Sequence, residues 1–126
     1  MSKRKERLNA INLLYRHFVL NHDLTITRQE AFDFSQSITT IEESNNFEQL
    51  LKYFDEIIIL INQNLAEDWN FERLSNFHKA TLVYSTYEIK YLAVPRAVVI
   101  NEALEILKRY GELTELNYIN KVLDQI

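Results

Sequence analysis

The sequence predicts an all-α protein, a compact bundle of about six helices in a single domain over residues 1–126. The chain has 126 residues, of which 47% are hydrophobic, and this is enough to bury one core. It contains one glycine and one proline, whereas sandwiches and barrels use many of both in their tight turns. Along most of the chain, apolar residues recur at the three- and four-residue spacing of one helix face.

The chain begins with a predicted helix over residues 3–22, because apolar residues from Leu8 to Phe18 keep the helical spacing. Thr27 and Glu30 then form the pattern of a capping box, in which each side chain satisfies a free backbone N–H of the first turn. This pattern predicts a short second helix.

The polar, unpatterned stretch 39–46 is typical of a loop and is predicted to be the principal one. A third helix over residues 47–65 follows, with the most regular apolar periodicity in the chain. Two further apolar residues, Ile59 and Leu60, indicate a helix buried on several sides. We therefore expect it at the centre of the core.

The second half of the chain predicts three more helices. The first spans residues 75–92. Pro95 belongs in the first turn of the next helix, and Gly111 is suited to close it in a left-handed conformation. The last helix carries an apolar stripe from Leu116 to Ile126.

Charge is divided unevenly along the chain, although its net value is only −4. Residues 1–16 carry a net charge of +4, residues 17–72 carry −9 and residues 73–126 carry +1. A basic end on an acidic body can bind phosphate while the rest of the molecule repels it.

Several functional classes are excluded or disfavoured by composition. One glycine cannot supply a dinucleotide-binding fingerprint, a phosphate-binding loop or a nucleophile elbow. The absence of cysteine excludes thiolate metal sites, disulfides and a cysteine nucleophile, and favours a cytoplasmic location by default. His17 and His22 lie about 140° apart around a helix, so they do not form a ligand pair. We predict no enzyme activity, no cofactor, no metal, no secretion signal and no membrane span.

The basic start of the first helix is the informative feature. Cations are unfavourable at a helix N-terminus, and Arg4 and Arg7 lie in line with the core-facing Leu8. We therefore expect the first turn to overhang the body or to fray. Charge alone leaves open a solvated terminus, a phosphate clamp that becomes ordered when bound, and, less favoured, a membrane-surface helix. Tyr15 is the aromatic residue best placed to stack on a base beside this end.

The stretch 95–103 reads Pro-Arg-Ala-Val-Val-Ile-Asn-Glu-Ala and is followed by Lys-Arg-Tyr-Gly at 108–111 and Asn-Lys-Val-Leu-Asp at 120–124. With these motifs the chain resembles the family of the transcription antitermination factor NusB over nearly its whole length. The resemblance implies an all-helical, cytoplasmic, non-enzymatic protein. It also implies binding of boxA, a single-stranded element of ribosomal RNA leader transcripts, together with the ribosomal protein NusE in the transcription elongation complex.

The resemblance also implies site residues. Those expected to bind RNA are Lys3, Arg4, Lys5, Arg7, Tyr15, Tyr118, Asn120 and Lys121. Those expected to contact a protein partner are His78 and Lys79. For Pro95, Asn101 and Glu102, within the signature, we expect structural roles instead.

A rival interpretation is a helical protein-binding module of the same fold that has lost RNA binding. It is suggested by Lys121, which stands where the family has a glycine, and by the departure of residues 112–115 from the family's acidic pattern. RNA binding measured with and without the NusE-type partner separates the two interpretations.

Overall fold

A computed structural model describes residues 3–33, 38, 40–110 and 116–126, and the described residues form seven α-helices and one short 3-10 turn. The helices are α1 (Lys3–Val19), α2 (Leu24–Asp33), α3 (Ile41–Lys52), α4 (Phe54–Gln63), α5 (Asn76–Tyr91), α6 (Arg96–Arg109) and α7 (Leu116–Gln125). The 3-10 turn, Phe71–Arg73, precedes α5. The all-α prediction is confirmed. Within the described ranges, no helix combines the length and the apolar character needed to cross a membrane.

Helix α5 lies at the centre of the bundle and packs against α1, α4, α6 and α7. Every residue from Phe77 to Glu88 is buried, including polar ones on faces that a surface helix would leave in water. Ser75 begins the helix as its N-cap, and its hydroxyl accepts a hydrogen bond from the backbone N–H of His78 at 3.2 Å. The prediction of a helix over residues 75–92 is therefore accurate to one residue at each end.

The predicted central helix over residues 47–65 is wrong in two respects. The chain forms two helices that meet at Tyr53, whose backbone leaves the helical conformation with φ −103° and ψ 15°. Ile59 is 57% exposed, so α4 is a surface helix. The apolar spacing continues across the break, since Leu50, Leu51 and Phe54 are all buried.

The capping prediction for α2 is also wrong. The helix begins at Leu24, and Asp23 supplies the cap by accepting a hydrogen bond from the N–H of Ile26 at 2.9 Å. Thr27 lies inside the helix, fully buried, with its hydroxyl 2.6 Å from Nδ1 of His17. Its side chain therefore faces α1 and not the helix terminus.

A threonine N-cap with a glutamate three residues later does occur where a loop was predicted over residues 39–46. Thr40 accepts a hydrogen bond from the N–H of Glu43 at 3.0 Å, and its hydroxyl donates to the Glu43 carboxylate at 3.2 Å. Helix α3 therefore starts at Ile41. The first helix ends at Val19, three residues before the predicted end, and Gly111 lies outside the described residues.

Candidate nucleic-acid interface

The first turn of α1 is helical and rests on the body of the protein. Arg7 is 7% exposed, and its Nε lies 2.8 and 2.9 Å from the two carboxylate oxygens of Glu88 on α5. Its Nη1 donates a hydrogen bond to Glu102 on α6 at 3.3 Å. The expectation that this turn overhangs or frays is wrong, because two carboxylates from other helices offset the desolvation of the guanidinium.

Glu102 joins Arg7 to Arg4. Nη2 of Arg4 lies 2.6 Å from Oε2 of Glu102, while Nε donates to Oε1 at 3.3 Å. The hydrogen bond from Arg4 lowers the pKa of Glu102. Burial raises the pKa of Glu88, against the hydrogen bonds from Arg7 that favour its carboxylate. The structural role expected for Glu102 is confirmed by these contacts.

Three cations remain exposed at the start of α1, namely Lys3, Arg4 and Lys5. Lys3 keeps 72% of its side chain exposed and lies 3.5 Å from the carboxylate of Glu6 and 3.9 Å from that of Glu42. Arg4 keeps 44% of its side chain exposed. Exposed ion pairs contribute only about 0–1 kcal/mol each, so an arriving phosphate can compete for these cations. Arg7, in contrast, is committed to Glu88 and is not a surface group.

Tyr15 lies on the outer side of α1 with 40% of its surface exposed. Its ring meets that of Phe77 edge-on, with centroids 5.6 Å apart, and Phe77 also lies 6.2 Å from the ring of Tyr110. Tyr110 is 52% exposed and, with Arg109 and Arg4, lines a shallow cleft between α1 and α6. The structure therefore adds a cation and an aromatic ring from the end of α6 to the surface predicted on α1.

Sequence reasoning missed this contribution of Arg109 and Tyr110. Both fall at the end of a helix, where a basic residue commonly interacts with the C-terminal carbonyls, and nothing in their spacing relates them to α1. A Lys-Arg-Tyr sequence at an exposed helix end was the signal available.

The three residues of α7 that are expected to bind RNA do not all line the same cavity. Tyr118 is half-buried, its hydroxyl lies 2.7 Å from Nδ1 of His78, and it lines a cavity together with Lys121. Lys121 and Asn120 are exposed, but Asn120 does not line that cavity. The structure thus brings Tyr118 and Lys121 together and leaves Asn120 apart.

The expectation that His78 and Lys79 contact a protein partner needs correction. Both are buried, at 3% and 8% exposure. The Lys79 ammonium lies over the rings of Phe18 and Phe71, at 5.5 and 5.8 Å from their centroids. Because α5 is enclosed by its neighbours, these two side chains present no surface on which a partner could dock in this conformation.

Comparison with known proteins gives the family. A model of the NusB family matches residues 4–126. The chain belongs to the NusB family. Among the described residues, no cluster of three metal-ligating His, Asp or Glu side chains occurs.

Similar proteins are named transcription antitermination protein NusB. The one from Bacillus cereus strain ATCC 10987 is 34% identical over 132 residues, which cover all of this chain and 97% of that protein. The one from Sulfurimonas denitrificans is 50% identical over 60 residues, which cover 48% of this chain and 46% of that protein. The match to the one from Wolinella succinogenes covers 58% of that protein. The match therefore spans about half the length of these last two relatives.

A solved structure of T. maritima NusB superposes with a TM-score of 0.77 at 27% identity. The superposition covers 99% of this chain and 89% of that one. The arrangement of helices described above is therefore the fold of the family.

Proposed function

We propose that this protein is an antitermination factor that binds boxA-type single-stranded leader RNA together with the ribosomal protein NusE in the transcription elongation complex. Membership of the NusB family carries the proposal. The surface of the molecule supports it: exposed cations at the start of α1 and the end of α6 flank two exposed tyrosines.

The chemistry of that surface suits a single strand. Lys3, Arg4, Lys5 and Arg109 offer ammonium and guanidinium groups to phosphates, which position the strand. Tyr15 offers a ring on which an unpaired base stacks. In this scheme Arg7 does not contact RNA, and its buried pairing with α5 and α6 instead holds the first turn of α1 in place. Asn120, exposed on α7, is kept as an RNA contact that lies apart from this surface.

A second candidate function is the helical protein-binding module that has lost RNA binding. It is favoured by one observation, that Glu88 and Glu102 already neutralise Arg7 and Arg4. In that case the protein binds a NusE-type partner without any help from RNA.

The experiment is an anisotropy titration of labelled boxA-type RNA with and without a NusE-type partner, repeated at several salt concentrations. If three phosphates are neutralised, log affinity falls with log salt at a slope of about −2. The double variant Arg4→Ala/Lys5→Ala is expected to flatten this slope by about 1.4.

The matched control is Arg28→Ala/Lys52→Ala, which removes two exposed cations on α2 and α3 and should leave the slope unchanged. Unchanged binding by the α1 variant would rule out the cationic surface. Binding to the partner with no affinity for RNA under any condition would favour the second candidate.

A further inference from the structure

A cavity of about 330 Å³ opens between the start of α1, the start of α3 and the end of α5. Its volume lies at the lower end of the roughly 300–1,000 Å³ typical of small-molecule sites. Three buried residues, Arg7, Tyr84 and Glu88, form its floor, and the exposed Lys3 and Glu42 form its rim. We refer to it as the Tyr84 pocket.

The Tyr84 hydroxyl is a buried polar group at the floor of this pocket. The residue is 8% exposed, yet its hydroxyl makes no hydrogen bond to any described residue. Burial raises its pKa, the nearby Glu88 carboxylate raises it further and Arg7 opposes this effect. The hydroxyl therefore lies beside the charged groups of the floor. Because buried hydroxyls are normally hydrogen-bonded, this one is suited to bind a ligand.

Arg7 also has donors that no described residue uses. A guanidinium carries five N–H donors. Nε of Arg7 donates to Glu88 at 2.8 and 2.9 Å, and Nη1 donates to Glu102 at 3.3 Å. Nη2 makes no hydrogen bond to a described residue. Nη2 and the Tyr84 hydroxyl can therefore both donate to one anionic group, and such charge-assisted hydrogen bonds are strong.

The rim carries carboxylates that are only loosely paired. The Lys3 ammonium lies 3.5 Å from the Glu6 carboxylate and 3.9 Å from that of Glu42. Both distances exceed the roughly 3.2 Å upper limit of a good N–H···O hydrogen bond. Glu6 also lines the pocket, and 77% of the Glu42 side chain is exposed. The ammonium group of a ligand can therefore displace that of Lys3 at little cost.

Two aliphatic side chains, Leu92 and Val94, line the pocket next to these polar groups. We refer to them as the aliphatic wall. The N–H groups of both residues donate to the Glu88 carbonyl, at 3.3 and 3.1 Å. Ala93 between them adopts the left-handed conformation, with φ 52°, that is common where a helix ends. The wall is therefore in place before a ligand binds.

These groups favour a ligand that carries charges of both signs. A simple anion accepts hydrogen bonds from Tyr84 and Arg7 but is repelled by the carboxylates of the rim. A simple cation pairs with those carboxylates but leaves the donors of the floor unused. A zwitterion satisfies both ends, and a short apolar chain gains by contact with the aliphatic wall. Aliphatic α-amino acids combine these three features in a small molecule.

We propose that the Tyr84 pocket binds a small aliphatic α-amino acid as its zwitterion. The ligand carboxylate accepts hydrogen bonds from the Tyr84 hydroxyl and from Nη2 of Arg7. The ligand ammonium lies between the carboxylates of Glu6 and Glu42, and the ligand side chain packs on the aliphatic wall. This inference does not depend on the proposed function, because RNA takes no part in it.

The test is isothermal titration calorimetry of L-leucine into the full chain. Two compounds with the same carbon skeleton are the matched ligand controls: isopentylamine lacks the carboxylate and 4-methylpentanoate lacks the ammonium. We expect leucine to bind with a Kd of about 1 mM or tighter, and each control to bind at least about 10-fold more weakly. No binding by leucine, isoleucine, valine or alanine at about ten times that concentration would overturn the proposal. Equal binding by either control would overturn it as well.

The variant Tyr84→Phe removes only the hydroxyl from the floor. It is expected to weaken leucine binding about 10- to 100-fold, because a hydrogen bond to a charged acceptor is lost. The thermal stability of the free protein should stay the same or rise, since this hydroxyl has no partner among the described residues. The matched control is Tyr53→Phe, outside the pocket, which should leave affinity unchanged. Undiminished binding by Tyr84→Phe would contradict the proposed geometry.

The rim is tested by Glu6→Gln/Glu42→Gln, which is expected to weaken leucine binding about 5- to 30-fold. The control Glu48→Gln/Glu72→Gln removes two exposed or half-buried carboxylates outside the pocket and should have no effect. Equal weakening by both double variants would show an effect of net charge and contradict the proposal. If circular dichroism shows that Tyr84→Phe does not fold, the rim variants and the ligand controls still decide the matter.

Discussion

Arg7 is a charged residue at a core position, and its partners could not be predicted from the neighbouring residues in the sequence. Its carboxylate partners, Glu88 and Glu102, lie 81 and 95 positions further along the chain. A helical pattern shows which face a residue occupies but not what other helices bring to that face. The helical pattern therefore placed Arg7 correctly on the core-facing side of α1, but the expectation that the first turn is displaced was wrong.

Removing Arg7 is expected to destabilise the protein strongly. The variant Arg7→Met leaves Glu88 buried without its main counter-charge, and breaking such a pair costs about 3–5 kcal/mol. Urea unfolding followed by circular dichroism measures this change. The double variant Arg7→Met/Glu88→Leu should recover most of the lost stability, because neither position of the buried pair then carries a charge.

An exposed pair of the same chemistry provides the comparison. Arg28 and Glu48 lie 3.1 Å apart, with 50% and 44% of their side chains exposed. Arg28→Met should change the free energy of unfolding by less than about 1 kcal/mol. An equal loss for both single variants would contradict the interpretation.

His17 is expected to make stability depend on pH. Burial lowers its pKa from the ordinary 6.5, so below pH 6.5 the unfolded chain takes up a proton that the folded protein does not. The free energy of unfolding should therefore fall between pH 7.5 and 5.5, by up to about 1.4 kcal/mol per pH unit. Urea unfolding of the parent protein and of His17→Gln across this range checks it. A parallel decline in both would assign the effect to another group.

At the scale of the elements, apolar periodicity located most of the helices but not all of their ends. A one-residue break at Tyr53 leaves the apolar spacing intact, so two helices read as one. Thr27/Glu30 and Thr40/Glu43 have the same spacing, and only in the second pair does the threonine cap a helix. The packing of Thr27 against α1 decided between them, and that contact is not local.

The N-cap of α5 should matter more than a serine inside a helix. Ser75→Ala removes the acceptor for the N–H of His78 and is expected to cost about 1 kcal/mol. Ser44→Ala, within α3, should be neutral or stabilising by a few tenths of a kcal/mol, since alanine is the better helix former. Thermal unfolding of both variants measures the difference. A loss of stability in Ser44→Ala as large as that in Ser75→Ala would remove the special role of the cap.

At the scale of the whole molecule, the basic end predicted from the sequence is present in the folded protein, but its exposed positive charge is smaller. Residues 1–16 carry a net charge of +4. In the folded protein, however, Arg7 pairs with Glu88 of α5, and both Arg4 and Arg7 pair with Glu102 of α6. The exposed positive surface is therefore smaller than the sequence suggests, and it is extended by Arg109 from α6. The clustering of charge along the chain could be predicted from the sequence, whereas the contact between α1 and α6 could be seen only in the structure.

Glu102 is expected to compete with RNA for Arg4. In Glu102→Gln that competition is lost while Glu88 still pairs with Arg7, so boxA-type RNA should bind a few-fold more tightly. The salt slope should become steeper by about 0.7 if one more phosphate is contacted. Anisotropy titration measures both changes.

The control for net charge is Glu48→Gln, which likewise removes one carboxylate paired with an arginine. It should leave RNA affinity and the salt slope unchanged. Equal tightening by both variants would show that overall charge, and not Arg4, governs binding.

The position of Lys79 has a chemical consequence. Its amine lies against two phenylalanine rings in the interior, whereas the other six lysines, all within the described residues, are exposed. An acylating reagent should modify those six quickly and reach Lys79 only when the bundle opens. The rate of Lys79 labelling, followed by mass spectrometry, then measures how often the folded state opens. This measurement can be made in a cell extract without purification.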